Sequence, residues 1–424
     1  MKTKLVLLSA DAMSGADLDY LLTLPHAKEV FAHAVYAKKV RSVLPTLTYP
    51  CHATMITGCL PERHGIWMNT LFSPGEKRPA WRWERRWNRV QDDLLYAAKR
   101  QCLTTASVFW PTTGLHSAVD WLIPEYWPQT RQDTLLKAME RMGSSPEVLT
   151  VIERRQGTGR IDQHPSADFF AVSCACDILR TFRPDVMLLH PANIDEAKHR
   201  YGTGSPEARQ AVEETDRMIG MIAEALEYCG LSEQTNFVLA SDHGQRDIRR
   251  VLRPNVLLRE KGLIRCTADS LADWDAYCQA EGMFALIQLR DRSDVSAGKK
   301  VLSVLETAGL DQMGVSRILA AEQMSVPGLP ADYDFALLSD GDTAFSSALF
   351  GELCQSESHA GQKATHGYPP EIGPGPVFIA AGPGFRENSV IEEMSLTDIA
   401  PTLAALFGAE MPEAQGEIIR EMLQ

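Results

Sequence analysis

Acidic residues and histidines occur where short apolar runs of this chain end. KLVLLSA is followed by Asp11, NFVLAS is followed by Asp242 and His243, and DVMLLH ends shortly before Asp195, which precedes His199 by four residues. Apolar runs of this length predict buried strands, and carboxylates and imidazoles are common ligands of zinc. The pattern therefore indicates a metal site at one edge of a sheet.

Each of these residues also has an ordinary structural explanation. An Asp after a strand often forms a turn or caps a helix, and Asp195 with His199 could be either a surface ion pair or two ligands on one helical face. The sequence Asp242-His243-Gly244 lies at the end of an apolar run, which favours a role of Asp242 and His243 as metal ligands. His366, in the loop KATHGYPPE, is by itself an ordinary loop histidine, but the set leaves room for another imidazole.

The segment LPTLTYPCHATMITGC places Thr48 just before a predicted helix. A threonine at this position is usually an N-cap, whose hydroxyl accepts from the first backbone N–H groups. A helix N-terminus also binds phosphate well, and a metal ion can convert a hydroxyl into an alkoxide nucleophile. The local sequence leaves both roles open.

The elements that must position these residues are predicted from alternating strand-like and helical patterns. The predicted strands are LVLLSA (5–10), ASVFW (106–110), DVMLL (185–189), NFVLA (236–240) and PVFIAA (376–381), and the clearest predicted helix is 205–230, which ends at Gly230. This alternation predicts an α/β fold with a mostly parallel central sheet flanked by helices. In such sheets, ligands bind beyond the carboxyl ends of the strands, where Asp11, Asp195 and Asp242 are expected.

The 424 residues suit one large domain, 1–424, and the less regular segment at about 250–360 is predicted to be a small α+β insertion. Two runs in that segment, AEGMFALIQLRD and DYDFALLSD, are predicted strands. The formal net charge of -13 argues against binding of a nucleic-acid polymer.

The sequence argues against a secreted or a membrane-spanning protein. The apolar run near the N-terminus is shorter than the roughly 7–15 residues of a secretory signal, and no stretch approaches the roughly 18 apolar residues that span a membrane. The nine cysteines, without a CxxC pair, are typical of reduced thiols. We therefore expect a cytoplasmic protein with no membrane partner.

Taken together, the motifs resemble the nucleotide pyrophosphatase/phosphodiesterase group of the alkaline phosphatase superfamily. The motifs, in family order, are Asp11, PTLTYP with Thr48, HGIWMN with Asn69, NIDEAKHRYG, SDHG, THGY and the closing SLTDIAPTLAALFG (395–408). The resemblance covers most of the chain. It implies an alkaline phosphatase-like fold and hydrolysis of phosphodiester or pyrophosphate bonds in a small-molecule phosphoester.

The resemblance also implies a two-metal site, with zinc as the expected ion. One ion would be held by Asp195, His199 and His366, and the other by Asp11, Asp242 and His243, with Thr48 completing it. Thr48 would attack phosphorus and form a phospho-threonine, which water would hydrolyse. Asn69 and the backbone N–H of Thr48 would hold a phosphoryl oxygen.

One position departs from the family pattern. The family often has Pro-Asn-His after the nucleophile, whereas this chain has Pro50-Cys51-His52. Sulfatases of the same superfamily mature a cysteine within Cys-x-Pro-x-Arg, but Cys51 is followed by His, Ala, Thr and Met, which excludes a sulfatase. Histidines outside the ligand set are interpreted either as structural or as lacking other potential metal ligands nearby in the sequence: His52, His64, His116, His164, His190 and His359.

The leaving group is harder to predict. Tyr49, Trp110 and Tyr126 are predicted to contact the substrate, with Trp67 and Trp127 in the same segments, although each of these side chains could instead be core. The segment WRWERRWNR (81–89) could be a substrate-facing lid or a helix with solvated arginines.

Two alternative functions stay open. One is a phosphomonoesterase or phosphonoacetate hydrolase of the same superfamily, although relatives of the latter have lysines near the phosphoryl site and the 90–130 segment has only Lys99. The other is a non-catalytic metal-dependent binding module, which Thr48 argues against because binding alone needs no nucleophile.

Overall fold

The computed structural model describes residues 4–157, 161–320, 333–356 and 361–424 of the chain. The strands in these ranges are β1 Lys4–Ser9, β2 Val35–Ala37, β3 Val40–Arg41, β4 Thr105–Val108, β5 Trp121–Ile123, β6 Val186–Leu189, β7 Thr235–Ala240, β8 Arg246–Asp247, β9 Arg250–Leu252, β10 Ile264–Cys266, β11 Leu271–Trp274, β12 Ala276–Glu281, β13 Phe284–Leu289, β14 Val315–Ala320, β15 Phe335–Ser339, β16 Thr343–Phe345, β17 Cys354–Ser356, β18 Ala364–Thr365, β19 Phe378–Ala381, β20 Val390–Ile391 and β21 Met394–Ser395.

The α-helices are α1 Gly15–Leu21, α2 Pro25–Val30, α3 Thr48–Thr57, α4 Pro61–His64, α5 Leu94–Arg100, α6 Leu135–Arg141, α7 Pro146–Arg155, α8 Ser166–Phe182, α9 Asn193–Tyr201, α10 Pro206–Tyr228, α11 Pro254–Glu260, α12 Val295–Thr307 and α13 Leu396–Ala405. Short 3-10 helices cover Arg85–Trp87, Ser232–Gln234 and Arg420–Met422. None of the helices in the described ranges has the length and apolar character needed to cross a membrane. The cytoplasmic location stays a prediction.

An eight-stranded sheet with the order β20-β2-β19-β7-β1-β6-β4-β5 forms the centre of the fold. Its neighbouring strands pair in parallel except at β19, which runs antiparallel to both β7 and β2. This arrangement confirms the predicted α/β class with a mostly parallel sheet. The order places β1 between β6 and β7, so the segments that follow these three strands meet at one edge of the sheet.

Both faces of this sheet are covered, which explains why its strands are nearly continuous apolar runs. In β1, Val6 and Leu8 belong to one hydrophobic core, whereas Leu5 and Leu7 belong to the core on the opposite face. Helices α8 and α10 contribute to the first core, and α3, α5 and α13 contribute to the second. Because these strands are buried, the loops that follow their carboxyl ends start from residues that are packed on both faces.

The five predicted strands correspond to β1, β4, β6, β7 and β19, with ends that shift by one or two residues. The predicted helix at 205–230 is α10, and Gly230 follows it with a φ of +67°, as expected at a helix C-terminus.

A second, antiparallel sheet lies in the segment that was predicted to be an insertion. Its strand order is β12-β13-β15-β14, and helix α12 packs with it in a separate hydrophobic core. Both predicted strand runs fall in this sheet, as β13 and β15. The domain boundary at about 250–360 stays a prediction.

Candidate active site

Three polar residues lie just beyond the carboxyl ends of neighbouring strands. Asp11 follows β1, Asp242 follows β7 and His190 follows β6 directly. Each is buried, with no more than 3% of its surface exposed. These polar groups can be buried because they contact one another and neighbouring carboxylate and imidazole side chains.

Asp11, Asp242 and His243 form one group in which ligand atoms lie within 4.8 Å of one another. Nε2 of His243 is 3.1 Å from Oδ2 of Asp242 and 3.6 Å from Oδ1 of Asp11. Burial raises the pKa of both carboxyls well above the usual range and lowers the pKa of His243. Such groups are costly to bury without a cation, and this arrangement suits a divalent ion.

Asp195, His199 and His366 form the second group, again with ligand atoms within 4.8 Å of one another. Asp195 and His199 lie one turn apart on α9, with 3.3 Å between Oδ2 and Nε2. Nε2 of His366 is 3.7 Å from Oδ1 of Asp195. Burial by itself would raise the pKa of Asp195, but His199 and His366 lower it overall. Burial lowers the pKa of His366 to about 4.

The imidazole rings of both groups share one orientation. Nδ1 donates to a backbone carbonyl in each ring: that of Ala364 for His199 (2.7 Å), of Thr46 for His366 (2.9 Å) and of Gly244 for His243 (3.2 Å). Each Nε2 is thereby directed at the carboxylates, and hydrogen bonds of this kind fix the tautomer of metal-binding histidines. The rings of His243 and His366 stack 3.8 Å apart, so the two groups are adjacent.

Two buried carboxylate oxygens give an independent indication of a cation. Oδ1 of Asp11 and Oδ2 of Asp242 have no hydrogen-bond partner among the described residues. A buried anionic oxygen without a partner is strongly destabilising unless a positive charge compensates it. The donor set therefore fits divalent metal ions.

Thr48 is the first residue of α3 rather than the residue before it, which corrects the predicted N-cap position. Leu47 occupies the N-cap, and no side chain caps the helix. The hydroxyl of Thr48 instead lies 3.3 Å from Nε2 of His243, within the first ligand group. The cap role that the sequence left open is therefore excluded.

Asn69 faces the same space. Its Oδ1 accepts a hydrogen bond from the backbone N–H of Tyr49 (2.9 Å), which fixes the amide beside the first turn of α3. Thr48 and Asn69 line a cavity of about 1000 Å³, together with four of the ligand residues: Asp11, Asp195, His199 and His366. The structure thus brings together every residue that was predicted as a metal ligand, nucleophile or phosphoryl-binding group.

The aromatic residues predicted to contact substrate lie behind the cavity wall. Tyr49 and Trp110 are fully buried, and Tyr126 packs edge-on against Trp83 with ring centroids 4.7 Å apart. Trp127, which was named with them, lines the cavity together with Trp81, and the centroids of the two rings lie 6.0 Å apart.

The Trp/Arg-rich segment 81–89 is neither a lid nor an amphipathic α-helix. Arg85 is buried and donates to Asp93 at 3.0 Å, and Trp83 packs against Trp127 at 5.7 Å. The segment packs against neighbouring residues and places Trp81 at the cavity wall.

Two histidines that the sequence interpretation set aside belong to the site. Nε2 of His190 lies 3.1 Å from Oδ2 of Asp11, and His164 lines the cavity with its Nδ1 2.7 Å from Oδ2 of Asp168. A signal existed for His190, since it follows a strand as Asp11 does. His359 lies outside the described residues, whereas His52 and His64 are buried and hydrogen-bonded, as expected.

Glu125 and Glu281 also line the cavity and were missed. Burial raises the pKa of both carboxyls. Neither residue belongs to a recognisable motif, so no sequence signal identified them.

Comparison with known proteins gives a consistent result. The family model described as type I phosphodiesterase/nucleotide pyrophosphatase matches residues 5–316. Human ectonucleotide pyrophosphatase/phosphodiesterase family member 5 is 22% identical over 420 residues, which cover 95% of this chain and 74% of that protein. The mouse family member 1 is 26% identical over 245 residues, and the match spans only 23% of its length.

Solved structures show the same fold. Human ectonucleotide pyrophosphatase/phosphodiesterase 5 superposes with a TM-score of 0.70 at 21% identity, covering 99% of this chain and 100% of that one. An inactive variant of the murine protein, solved in complex with AMP, superposes with a TM-score of 0.68 at 18% identity and covers 100% of both chains. With the family model matching most of its length, the chain belongs to the type I phosphodiesterase/nucleotide pyrophosphatase family.

Proposed function

We propose that the protein is a metal-dependent hydrolase that cleaves phosphodiester or pyrophosphate bonds in small molecules through a phospho-threonine intermediate. The observation that carries the proposal is the position of Thr48, whose hydroxyl lies 3.3 Å from Nε2 of His243. A binding module would not need a hydroxyl among its metal ligands, so this position supports catalysis.

Two zinc ions are the proposed cofactors. One would be held by Asp195, His199 and His366, and the other by Asp11, Asp242, His243 and Thr48. When bound, such ions lower the pKa of a coordinated hydroxyl or water and offset charge on the entering and leaving oxygens. Mixed carboxylate and imidazole ligands are compatible with zinc.

The chain's own groups account for the bonds that form and break. Oγ1 of Thr48 bonds to phosphorus as the bond to the leaving alcohol or phosphate breaks, and the leaving group takes a proton. Water then attacks the same phosphorus, and Thr48 regains its hydroxyl proton. Asn69 and the backbone N–H of Thr48 hold the phosphoryl oxygens.

The charge of the cavity favours diesters over monoesters. Carboxylates outside the two ligand groups line it: Glu76, Glu125, Glu196, Asp269 and Glu281. Lys77 is the only lysine or arginine among the described lining residues, and Lys99 instead pairs with Asp120. A monoester dianion or a phosphonate would meet more repulsion here than a diester monoanion.

The size of the cavity and its aromatic wall support a substrate with a large planar group. A volume of about 1000 Å³ is at the upper end of small-molecule pockets, and Trp81 and Trp127 offer faces on which a ring could stack. The AMP bound by the inactive murine relative is such a ligand. A nucleotide is therefore the proposed substrate class.

The decisive experiment compares rates on zinc-loaded protein. Bis(4-nitrophenyl) phosphate should be hydrolysed at least about tenfold faster, in kcat/KM, than 4-nitrophenyl phosphate or phosphonoacetate. Faster hydrolysis of the monoester or of the phosphonate would contradict the diesterase proposal. Full zinc occupancy with no turnover of any of the three would favour a binding module.

A further inference from the structure

Three of the four polar atoms of Asn69 are fixed by hydrogen bonds. Its Oδ1 accepts from Tyr49 N (2.9 Å), its carbonyl oxygen accepts from Arg82 N (2.8 Å), and its backbone N–H donates to Oε2 of Glu281 (2.7 Å). The fourth atom is Nδ2, and the residue lines the cavity. The bond to Oδ1 orients the amide and the two backbone bonds position the residue that carries it, so together they determine where the Nδ2 donors point.

Glu281 is the acidic partner in this arrangement. It ends β12 in the second sheet, and its Oε1 accepts from the backbone N–H of Thr70 (3.0 Å) and from the Thr70 hydroxyl. Gln279, two residues earlier on the strand, donates to Oγ1 of Thr70 (2.9 Å). One strand end of the second sheet thus holds both residues of the Asn69–Thr70 segment.

The turn that follows Glu281 also contacts the second ligand group. The backbone N–H of Met283 donates to the carbonyl oxygen of His366 (2.7 Å). Gly282 has a φ of +58°, and a Cβ at this position would lie 2.1 Å from that oxygen, so only glycine fits. The β12–β13 turn therefore lies between the Asn69 segment and the His366 loop.

We propose that Glu281 is a positioning residue, which holds Asn69 so that Nδ2 donates to a phosphoryl oxygen of the substrate. The inference rests on the proposed function, because it deepens the role assigned there to Asn69. It also makes the second sheet part of the catalytic framework rather than an appendage. Donors to a developing charge must be held in place before the reaction to be effective.

The substitution Glu281→Gln tests this role with little change of volume. One of the two acceptor oxygens becomes an NH2 group, which faces the N–H of Asn69 or of Thr70 and displaces that segment. Small misplacements of catalytic groups can cost up to about 100-fold. We expect kcat/KM for bis(4-nitrophenyl) phosphate to fall about 10- to 50-fold, at unchanged zinc content.

A double-mutant cycle with Asn69→Ala separates positioning from general structural damage. If Glu281 acts through Asn69, Glu281→Gln should change the rate less than about twofold in the Asn69→Ala background. An equal loss in both backgrounds, or no loss in the wild-type background, would overturn the proposal. Glu306→Gln, an exposed glutamate on α12, is the matched control and should leave the rate unchanged.

Binding of inorganic phosphate to the zinc-loaded protein gives a readout that does not need turnover. By calorimetry, Glu281→Gln should weaken phosphate binding several-fold only when Asn69 is present. This pattern without hydrolysis of any ester would support the positioning role while the proposed function failed. Hydrolysis of diesters with phosphate binding unaffected by Glu281→Gln would overturn the positioning role alone.

A variant that retains the carboxylate serves as the alternative if Glu281→Gln does not fold. Glu281→Asp keeps both oxygens on a shorter side chain, so it should fold and retain more activity than Glu281→Gln. If Glu281→Gln does not fold, the same cycle is run with Glu281→Asp. Additive effects of Glu281→Asp and Asn69→Ala would then overturn the proposal.

Discussion

The hydroxyl of Thr48 lies 3.3 Å from Nε2 of His243 and caps no helix, although Thr48 begins α3. A hydroxyl at a helix start usually accepts from backbone N–H groups. Here the backbone N–H of Tyr49 donates to Oδ1 of Asn69, and the hydroxyl of Thr48 lies among carboxylates and imidazoles. Catalytic and structural effects of Thr48 can therefore be separated by mutation.

Replacing Thr48 by Ala should abolish hydrolysis without destabilising the fold. We expect kcat to fall at least about 1000-fold, because no nucleophile remains, and the free energy of unfolding to change by less than about 0.5 kcal/mol, because no cap is lost. Thr48→Ser should keep part of the activity. Steady-state kinetics and urea unfolding measure both effects.

The control for this pair is Thr150→Ala, an exposed threonine on α7, which should leave the rate unchanged. If Thr48→Ala kept more than a tenth of the wild-type rate with zinc bound, another group would be the nucleophile.

Removing metal should destabilise the protein through its unpaired buried oxygens. Oδ1 of Asp11 and Oδ2 of Asp242 have no partner among the described residues, so a chelator should lower Tm by several degrees and added zinc should restore it. The substitution Asp242→Asn should offset the loss of stability that the chelator causes. The chelated variant should be about 1–3 kcal/mol more stable than the chelated wild type, because a buried charge is removed.

Thermal unfolding with and without zinc checks both statements. A chelated wild type as stable as the zinc-loaded protein would show that the carboxylates need no cation.

His190 should strengthen metal binding through Asp11. Its Nε2 lies 3.1 Å from Oδ2 of Asp11, the carboxylate oxygen opposite the unpaired Oδ1. Residues that orient a ligand in this way typically contribute about 10- to 100-fold in metal affinity. His190→Ala should therefore raise the zinc Kd by that factor in a competition with a chromophoric chelator, whereas exposed His33→Ala should leave it unchanged.

The sequence predicted the parts of the site that are close along the chain. Asp242 with His243, and Asp195 with His199, are neighbours in sequence or on one helical face, and apolar runs predict the strands before them. The resemblance to a known family also grouped distant ligands, such as Asp11 with Asp242, but contacts between distant residues that belong to no family motif could not be predicted. His190 and Asp11 are 179 residues apart, and Asn69 and Glu281 are 212 residues apart.

The prediction that Tyr49 contacts the substrate did not take helix geometry into account. Successive residues of an α-helix point about 100° apart, so Tyr49 points away from the cavity that Thr48 faces. Its ring packs beneath Trp81 at 5.3 Å. Which aromatic residue lies at the surface of the cavity depends on the path of the 81–89 segment, whose residues follow neither a helical nor a strand periodicity.

The ion pair of His164 and Asp168 should make stability depend on pH. Burial alone would lower the pKa of His164, but Asp168, 2.7 Å away, raises it from 6.5 to about 9, with Glu196 and Asp195 of α9 acting in the same direction. A pKa that is higher in the folded state means that the folded protein binds the extra proton. The stabilisation is therefore complete below about pH 6.5 and lost as the pH rises through about 9.

Comparison with His164→Gln isolates this contribution. The wild type should exceed the variant in free energy of unfolding at pH 6, and the difference should shrink steadily towards pH 9.5, as measured by urea unfolding at fixed zinc concentration. Asp168→Asn should show the same loss of pH dependence, because it removes the charge that raises the pKa. A difference that stayed constant or grew with pH would mean that His164 is neutral in the folded protein, since only the imidazolium form links the ion pair to proton binding.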